Sequence, residues 1–137
     1  MLPYEKNAIA VDAACSHNPG RMEYRGVDLA TGQVLFHITY PLATNNIGEF
    51  LAIVHALAYL AGKQLPNTPV YTDSQTAMTW IRKRRAATTL VRNADTERVH
   101  HHLFRAVNWL HEHAYANPIL KWNTPQWGEI PADFGRK

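Results

Sequence analysis

Five acidic residues stand where a carboxylate is either costly or pointedly placed: Asp12, Glu49, Asp73, Glu129 and Asp133. Asp12 is the hardest to explain by folding alone. It interrupts the run Ala8-Ile9-Ala10-Val11-Asp12-Ala13-Ala14-Cys15, which has the length and residue types of a fully buried strand. An isolated charge inside a sheet is strongly destabilising unless a partner compensates it. The neighbouring sequence offers few cations, so a bound metal ion is the first partner to test. The other acids each have a local explanation. Glu49 falls in the first turn of a helix, where the dipole favours an acid. Asp73 lies at a helix N-cap. Glu129 and Asp133 are four residues apart and would share one face of a short helix opened by Pro131, a mildly repulsive pairing unless a cation lies between them. If the acids converge, they form an all-oxygen cluster that repels itself unless protonated or bridged, and such a set suits Mg²⁺ or Mn²⁺. Two such cations about 4 Å apart can activate a water and stabilise a leaving oxygen, so the chemistry within reach is metal-assisted hydrolysis.

The elements that must position these acids follow from periodicity. After the first strand, residues 22–27 and 33–40 read as strands joined by a loop closing on Gly32. From Ile47 the period changes: Phe50, Leu51, Val54, Leu57, Ala58 and Leu60 fall at helical spacing, and the helix stops at Gly62. Residues 69–72 form a short strand, 76–82 a helix, 86–93 a loop, 94–113 a longer helix and 118–122 a last strand. The order is strand, strand, strand, helix, strand, helix, helix, strand, helix. It predicts an α/β fold with a five-stranded mixed sheet, a three-stranded antiparallel meander plus two parallel strands, with helices on both faces. Asp12 and Asp73 lie side by side if the first and fourth strands are neighbours. The run His100-His101-His102 cannot converge on one ion, because adjacent helical positions point apart, and reads as an exposed face.

Composition sets outer bounds. A chain of 137 residues, 46% hydrophobic, can bury a core as one domain spanning 1–137 without disulfide or metal staples. Its one cysteine, Cys15, cannot form an internal disulfide, which suits a reducing compartment and a cytoplasmic location. No signal-like start and no apolar run of membrane-spanning length are present. The net charge of +3 is compatible with a polyanionic partner. Much of the positive charge falls in Arg82-Lys83-Arg84-Arg85 and Arg92, which read equally well as a solvated helix end.

Four segments occur in order, each carrying an acid: Val11-Asp12 through Asn18-Pro19-Gly20, Thr44-Asn45-Asn46-Ile47-Gly48-Glu49, Tyr71-Thr72-Asp73-Ser74-Gln75-Thr76-Ala77 and Trp127-Gly128-Glu129-Ile130-Pro131-Ala132-Asp133. Together they resemble a ribonuclease H of type I, of the compact bacterial kind without a basic protrusion or an N-terminal hybrid-binding module. The resemblance implies an RNase H-like fold and an endonuclease that hydrolyses the RNA strand of RNA/DNA hybrids, leaving 5′-phosphate and 3′-hydroxyl ends. It implies two Mg²⁺ ions, with Mn²⁺ as a substitute, held by Asp12, Glu49, Asp73 and Asp133. Asp12 would bridge them, Asp133 would serve the ion beside the attacking water, and Glu49 and Asp73 the ion at the 3′ oxygen. Glu129 would assist water positioning or product release.

Substrate contacts carried over in the same way are Cys15 (through its backbone), Ser16, His17, Asn18, Asn45 and Gln75 on the RNA strand. RNA is told from DNA there by the 2′-hydroxyls of the shallow minor groove. Thr44, Asn46, Thr88 and Thr89 would form a pocket for a DNA-strand phosphate. Trp80 would pack on a deoxyribose or, equally well, on its own helix face. The expected partner is the hybrid alone, with no membrane, no obligate protein partner and a monomeric state. Two alternatives are a DNA-acting nuclease of the same fold and a non-catalytic hybrid-binding module. The short chain and the Asn45/Gln75 set argue against the first. Four acids facing a polyanion argue against the second.

Overall fold

Along the first strand, Ile9, Val11 and Ala13 belong to one hydrophobic cluster and Ala8 and Ala10 to another. Successive side chains of a strand point to opposite faces, so this strand is covered on both sides and must lie inside the sheet. The computed structural model, which describes residues 3–135, shows this arrangement. The elements are β1 (Ile9–Cys15), β2 (Gly20–Asp28), β3 (Val34–Ala43), α1 (Asn45–Gly62), β4 (Val70–Thr72), α2 (Gln75–Lys83), α3 (Glu97–Glu112), β5 (Ile119–Lys121) and α4 (Thr124–Trp127). The strand order is β3-β2-β1-β4-β5, with β1 at the centre. β1–β2 and β2–β3 are antiparallel, whereas β1–β4 and β4–β5 are parallel. The expected mixed sheet is therefore the one found.

Helices cover the two faces unequally. Buried residues of α1, α2 and α3 join one cluster with Val11, Met22, Tyr24, Phe36 and Tyr40. On the other face Ala8, Ala10, Val27 and Tyr71 meet Trp122, Ile130 and Ala132, with Tyr4 and Trp127 packed around them. Asp12 follows Ala8 and Ala10 in the alternation and so belongs to this second face, while Glu49 comes from the helical side.

Two expectations change. No helix begins at Pro131: residues 131–132 form a turn, 133–134 are irregular, and residues 136–137 of the expected helix lie outside the described range. Among the described residues the only helix after β5 is α4, opened by Asn123, whose Oδ1 accepts from the Gln126 N–H at 3.3 Å. The histidine run is also not an exposed face. His100 is buried against the Leu90 carbonyl at 3.0 Å, His102 is hydrogen-bonded to the Tyr40 hydroxyl, and only His101 is exposed. Burial holds the His102 imidazole below its usual pKa, with Arg98 and Arg105 adding to the effect. No helix among the described residues is long and apolar enough to cross a membrane.

Candidate active site

β4 ends at Thr72, and that early stop shapes the site. The parallel register pairs Ile9 with Val70 and Ala10 with Tyr71. Continued two residues, it brings Asp12 level with Asp73, the first residue past the strand. Beyond Thr72 the backbone of β1 has lost its parallel neighbour, and a buried N–H there needs another acceptor. The Ala13 N–H finds one in Glu49 Oε1 at 3.2 Å. Glu49 can reach it because α1 rides close on the sheet at Gly48, where a Cβ would stand 2.7 Å from Ala13 Cβ and 2.7 Å from Met22 Sδ.

Asp12, at 0% exposure, and Glu49, at 1%, are thus enclosed, with half-buried Asp73 beside them. One carboxylate oxygen from each of these three residues lies within 4.8 Å of the other two. Three acids from β1, α1 and the β4–α2 junction therefore converge. A compact set of hard oxygen donors fits a divalent cation such as Mg²⁺ or Mn²⁺.

The local explanations of these acids do not describe what they do. Glu49 is the fifth residue of α1, past its first turn, and the cap is Thr44, whose Oγ1 accepts from the Ile47 N–H at 3.3 Å. Asp73 is not the cap of α2 either. Ser74 is, with Oγ accepting from the Ala77 N–H at 3.0 Å.

Asp133 is not one of the three convergent acids, and neither is the exposed Glu129. Without a helix, these two do not share a helical face. The Asp133 N–H donates to the Ile130 carbonyl at 2.8 Å, and its Oδ2 accepts from the Gly135 N–H at 2.9 Å. The main chain here is gripped by Arg25, which donates from Nε to the Ala132 carbonyl at 2.8 Å and from Nη2 to the Asp133 carbonyl at 2.6 Å. Arg25 lies directly opposite Asp12 in the β1–β2 register. Sequence reasoning found few cations near Asp12 and passed over this one. Its signal is the alternation of β2, which sets Glu23, Arg25 and Val27 on one face, but it becomes readable only once the register is known. Lys121 was also missed; its Nζ donates to the Asp73 carbonyl.

The residues expected to meet substrate fall into separate groups. The β1–β2 loop is closed by Ser16, whose N–H donates to the Arg21 carbonyl at 2.9 Å and whose Oγ accepts from the Arg21 N–H at 3.1 Å. It turns tightly against Gly20, where a Cβ would come within 2.5 Å of the His17 nitrogen. Asn18 Oδ1 accepts from the Asn45 N–H at 3.1 Å and so ties this loop to the start of α1. Cys15 donates to the Ala43 carbonyl at 3.2 Å, and burial pushes its thiol pKa up. His17, Asn46 and Gln75 are exposed, and Thr44 serves as the α1 cap. Thr88 and Thr89 line a cavity of about 540 Å³ with Arg85, Arg92 and His100. Trp80 is 8% exposed, with its ring edge-to-face on Phe50 at 5.8 Å.

The comparisons with known proteins agree with this architecture. The fold is similar to that of the N-terminal RNase H domain of a Mycobacterium tuberculosis protein, solved as a fusion with maltose-binding protein, with a TM-score of 0.53 and 17% identity over 87% of this chain and 84% of that one. It is similar also to LC11-RNase H1, solved in complex with an RNA/DNA hybrid, with a TM-score of 0.52 and 18% identity over 84% of this chain and 83% of that one. Identities this low speak for the fold alone. The sequence itself carries the assignment: the RNase H family model matches residues 5–118, most of the 137, and the chain belongs to the RNase H family.

Proposed function

We propose that this protein is an endonuclease that cuts the RNA strand of RNA/DNA hybrids with two divalent cations, leaving 5′-phosphate and 3′-hydroxyl ends. The observation that carries the reading is the meeting of Asp12, Glu49 and Asp73 within 4.8 Å. Three acids brought together from three elements, two of them buried, do nothing for folding that an apolar set would not do better. Membership of the RNase H family and the relative solved with a hybrid support the choice of substrate.

Asp12, central in the sheet, would be shared between the ions. Glu49 and Asp73 would complete the holding of the ion at the departing 3′ oxygen, and Asp133 that of the ion beside the attacking water. Bound Mg²⁺ supplies Lewis acidity, lowering the pKa of a water and stabilising charge on the leaving oxygen. Asn18 and Asn45, joined at 3.1 Å, would present the β1–β2 loop and the start of α1 as one surface to the RNA strand, and the exposed Gln75 at the start of α2 would add a further contact. Glu129, exposed nearby in sequence to Asp133, would act at water positioning or product release.

The test is one labelled-substrate gel with hybrid, duplex DNA and duplex RNA, each with Mg²⁺ or EDTA. Cleavage of the RNA strand of the hybrid alone, and only with Mg²⁺, is the expected result. Cleavage of duplex DNA, or binding without cleavage, would overturn it. Asp133→Asn is expected to abolish cleavage while retaining hybrid binding with Mg²⁺ present; cleavage at the parent rate would remove Asp133 from the ligand set.

A further inference from the structure

We infer that Arg25 is a positioning residue for Asp133, holding the main chain of residues 132–134 so that the Asp133 carboxylate is presented to the site built on Asp12. The inference rests on the reading of Asp133 as a cation ligand.

Arg25 makes three separate contacts with one short stretch of chain. Two are the hydrogen bonds to the Ala132 and Asp133 carbonyls, and the third is its guanidinium carbon 4.5 Å from the centre of the Phe134 ring. A planar fork can hold two adjacent acceptors at once, which a lysine ammonium cannot do with the same geometry. The grip falls on Asp133 itself and on its immediate neighbours.

Its place in the sheet gives the grip a direction. Asp12 pairs with Arg25 across β1–β2, and Arg25 pairs with His37 across β2–β3. Side chains at opposed positions share a face, so the three form a row across the strands, with Cα atoms of opposed residues about 5 Å apart. The anchor of Asp133 is therefore one strand away from the most buried acid of the site. His37 closes the far end: its ring lies 5.8 Å from that of Phe134, and its Nε2 is 2.7 Å from Oε1 of the buried Glu23.

No helix orders residues 131–135; Ile130 and Ala132 are packed in the cluster with Ala8, Ala10, Val27, Tyr71 and Trp122, and past them the Asp133 main chain is held by Arg25. A ligand on a loosely held chain must be ordered when the ion binds, which weakens the ion. Removing a group that orients a ligand typically costs about 10- to 100-fold in metal affinity.

The experiment compares the parent protein with Arg25→Lys, Arg25→Ala and Asp133→Asn, each checked for native near-ultraviolet dichroism. Three quantities are read: Mn²⁺ binding by calorimetry without nucleic acid, hydrogen exchange at the Asp133 and Gly135 amides, and hybrid cleavage against Mg²⁺ concentration. Both Arg25 variants are expected to weaken the Mn²⁺ site that Asp133→Asn also weakens by roughly tenfold or more. Both should speed exchange at the two amides, and both should shift the Mg²⁺ dependence of cleavage upward by a similar factor, with the deficit shrinking as Mg²⁺ rises. Arg25→Lys keeps the charge and loses the fork, so it should behave like Arg25→Ala; it decides the matter alone if the alanine variant does not fold. Parent-like Mn²⁺ binding and exchange in Arg25→Lys would overturn the inference, as would parent-like Mn²⁺ binding in Asp133→Asn. A parent protein that binds Mn²⁺ yet cleaves no hybrid would instead sink the proposed function, and calorimetry with exchange would still test the tether.

Discussion

Asp12 brings a charge into the centre of a sheet, and two further carboxylates are folded around it. Like charges about 5 Å apart repel by about 3 kcal/mol at an effective dielectric constant of about 20, an upper figure once neighbouring groups respond. Asp12→Asn is therefore expected to stabilise the protein in EDTA and to lose the rise in Tm that excess Mg²⁺ gives the parent. A cation at a hundred times its Kd adds about 2.7 kcal/mol to the parent. Thermal unfolding of both proteins in EDTA and in Mg²⁺ checks this, and an equal Mg²⁺-induced rise in the variant would contradict it. Asp12 was legible because an acid inside Ala-Ile-Ala-Val has no ordinary explanation. Arg25 was not, since its place opposite Asp12 depends on a pairing register that no local pattern states. The Glu129–Asp133 spacing was misread as helical. Pro131 and Ala132 instead sit at the centre of a single turn, closed by the Asp133 N–H on the Ile130 carbonyl at 2.8 Å, and four residues were too few to tell one turn from the start of a helix.

Among the elements, α1 fixes how near Glu49 comes to β1, and Gly48 sets that distance. Alanine is the better helix former by up to about 1 kcal/mol, yet here its methyl would meet Ala13 Cβ and Met22 Sδ at 2.7 Å. Met22 can shift its flexible end, but Ala13 is fixed in the strand. Gly48→Ala is expected to destabilise by about 1–3 kcal/mol and to lower cleavage by moving Glu49 off the Ala13 amide. Urea unfolding with a cleavage assay measures both; unchanged stability would show that the close approach is not required. The strands and α1 were readable from apolar period alone. α3 starts at Glu97 rather than Ala94 because side chains satisfy the backbone before it. Thr96 Oγ1 donates to the Val91 carbonyl at 2.6 Å, and Asn93 Oδ1 accepts from the Asp95 N–H at 2.9 Å. Such bonds compete with the helical ladder and are not visible in hydrophobic spacing. His100 and His102 looked solvated for a related reason: their partners, the Leu90 carbonyl in the α2–α3 loop and the Tyr40 hydroxyl on β3, lie outside α3.

For the molecule as a whole, positive charge gathers at the end of α2, where Arg82, Lys83, Arg84 and Arg85 are all exposed. Arg84 ends the helix with φ 56°, so replacing it would mix backbone strain with lost charge. Lys83→Ala/Arg85→Ala is the cleaner pair. If both side chains meet phosphates, the slope of log affinity for hybrid against log salt should fall by about one unit for each. An unchanged slope would show that the block faces away from the duplex. The sheet order has a different consequence, at its margin. β3 is an outer strand of ten residues with no neighbour beyond it among the described residues. An open edge of that length invites a second molecule to add its own strand. Pro41 lacks the N–H such a strand would seek, and Arg98 already occupies the Thr39 carbonyl at 2.8 Å. Only the stretch before Thr39 is left to template self-association, so aggregation of this protein on storage should begin there.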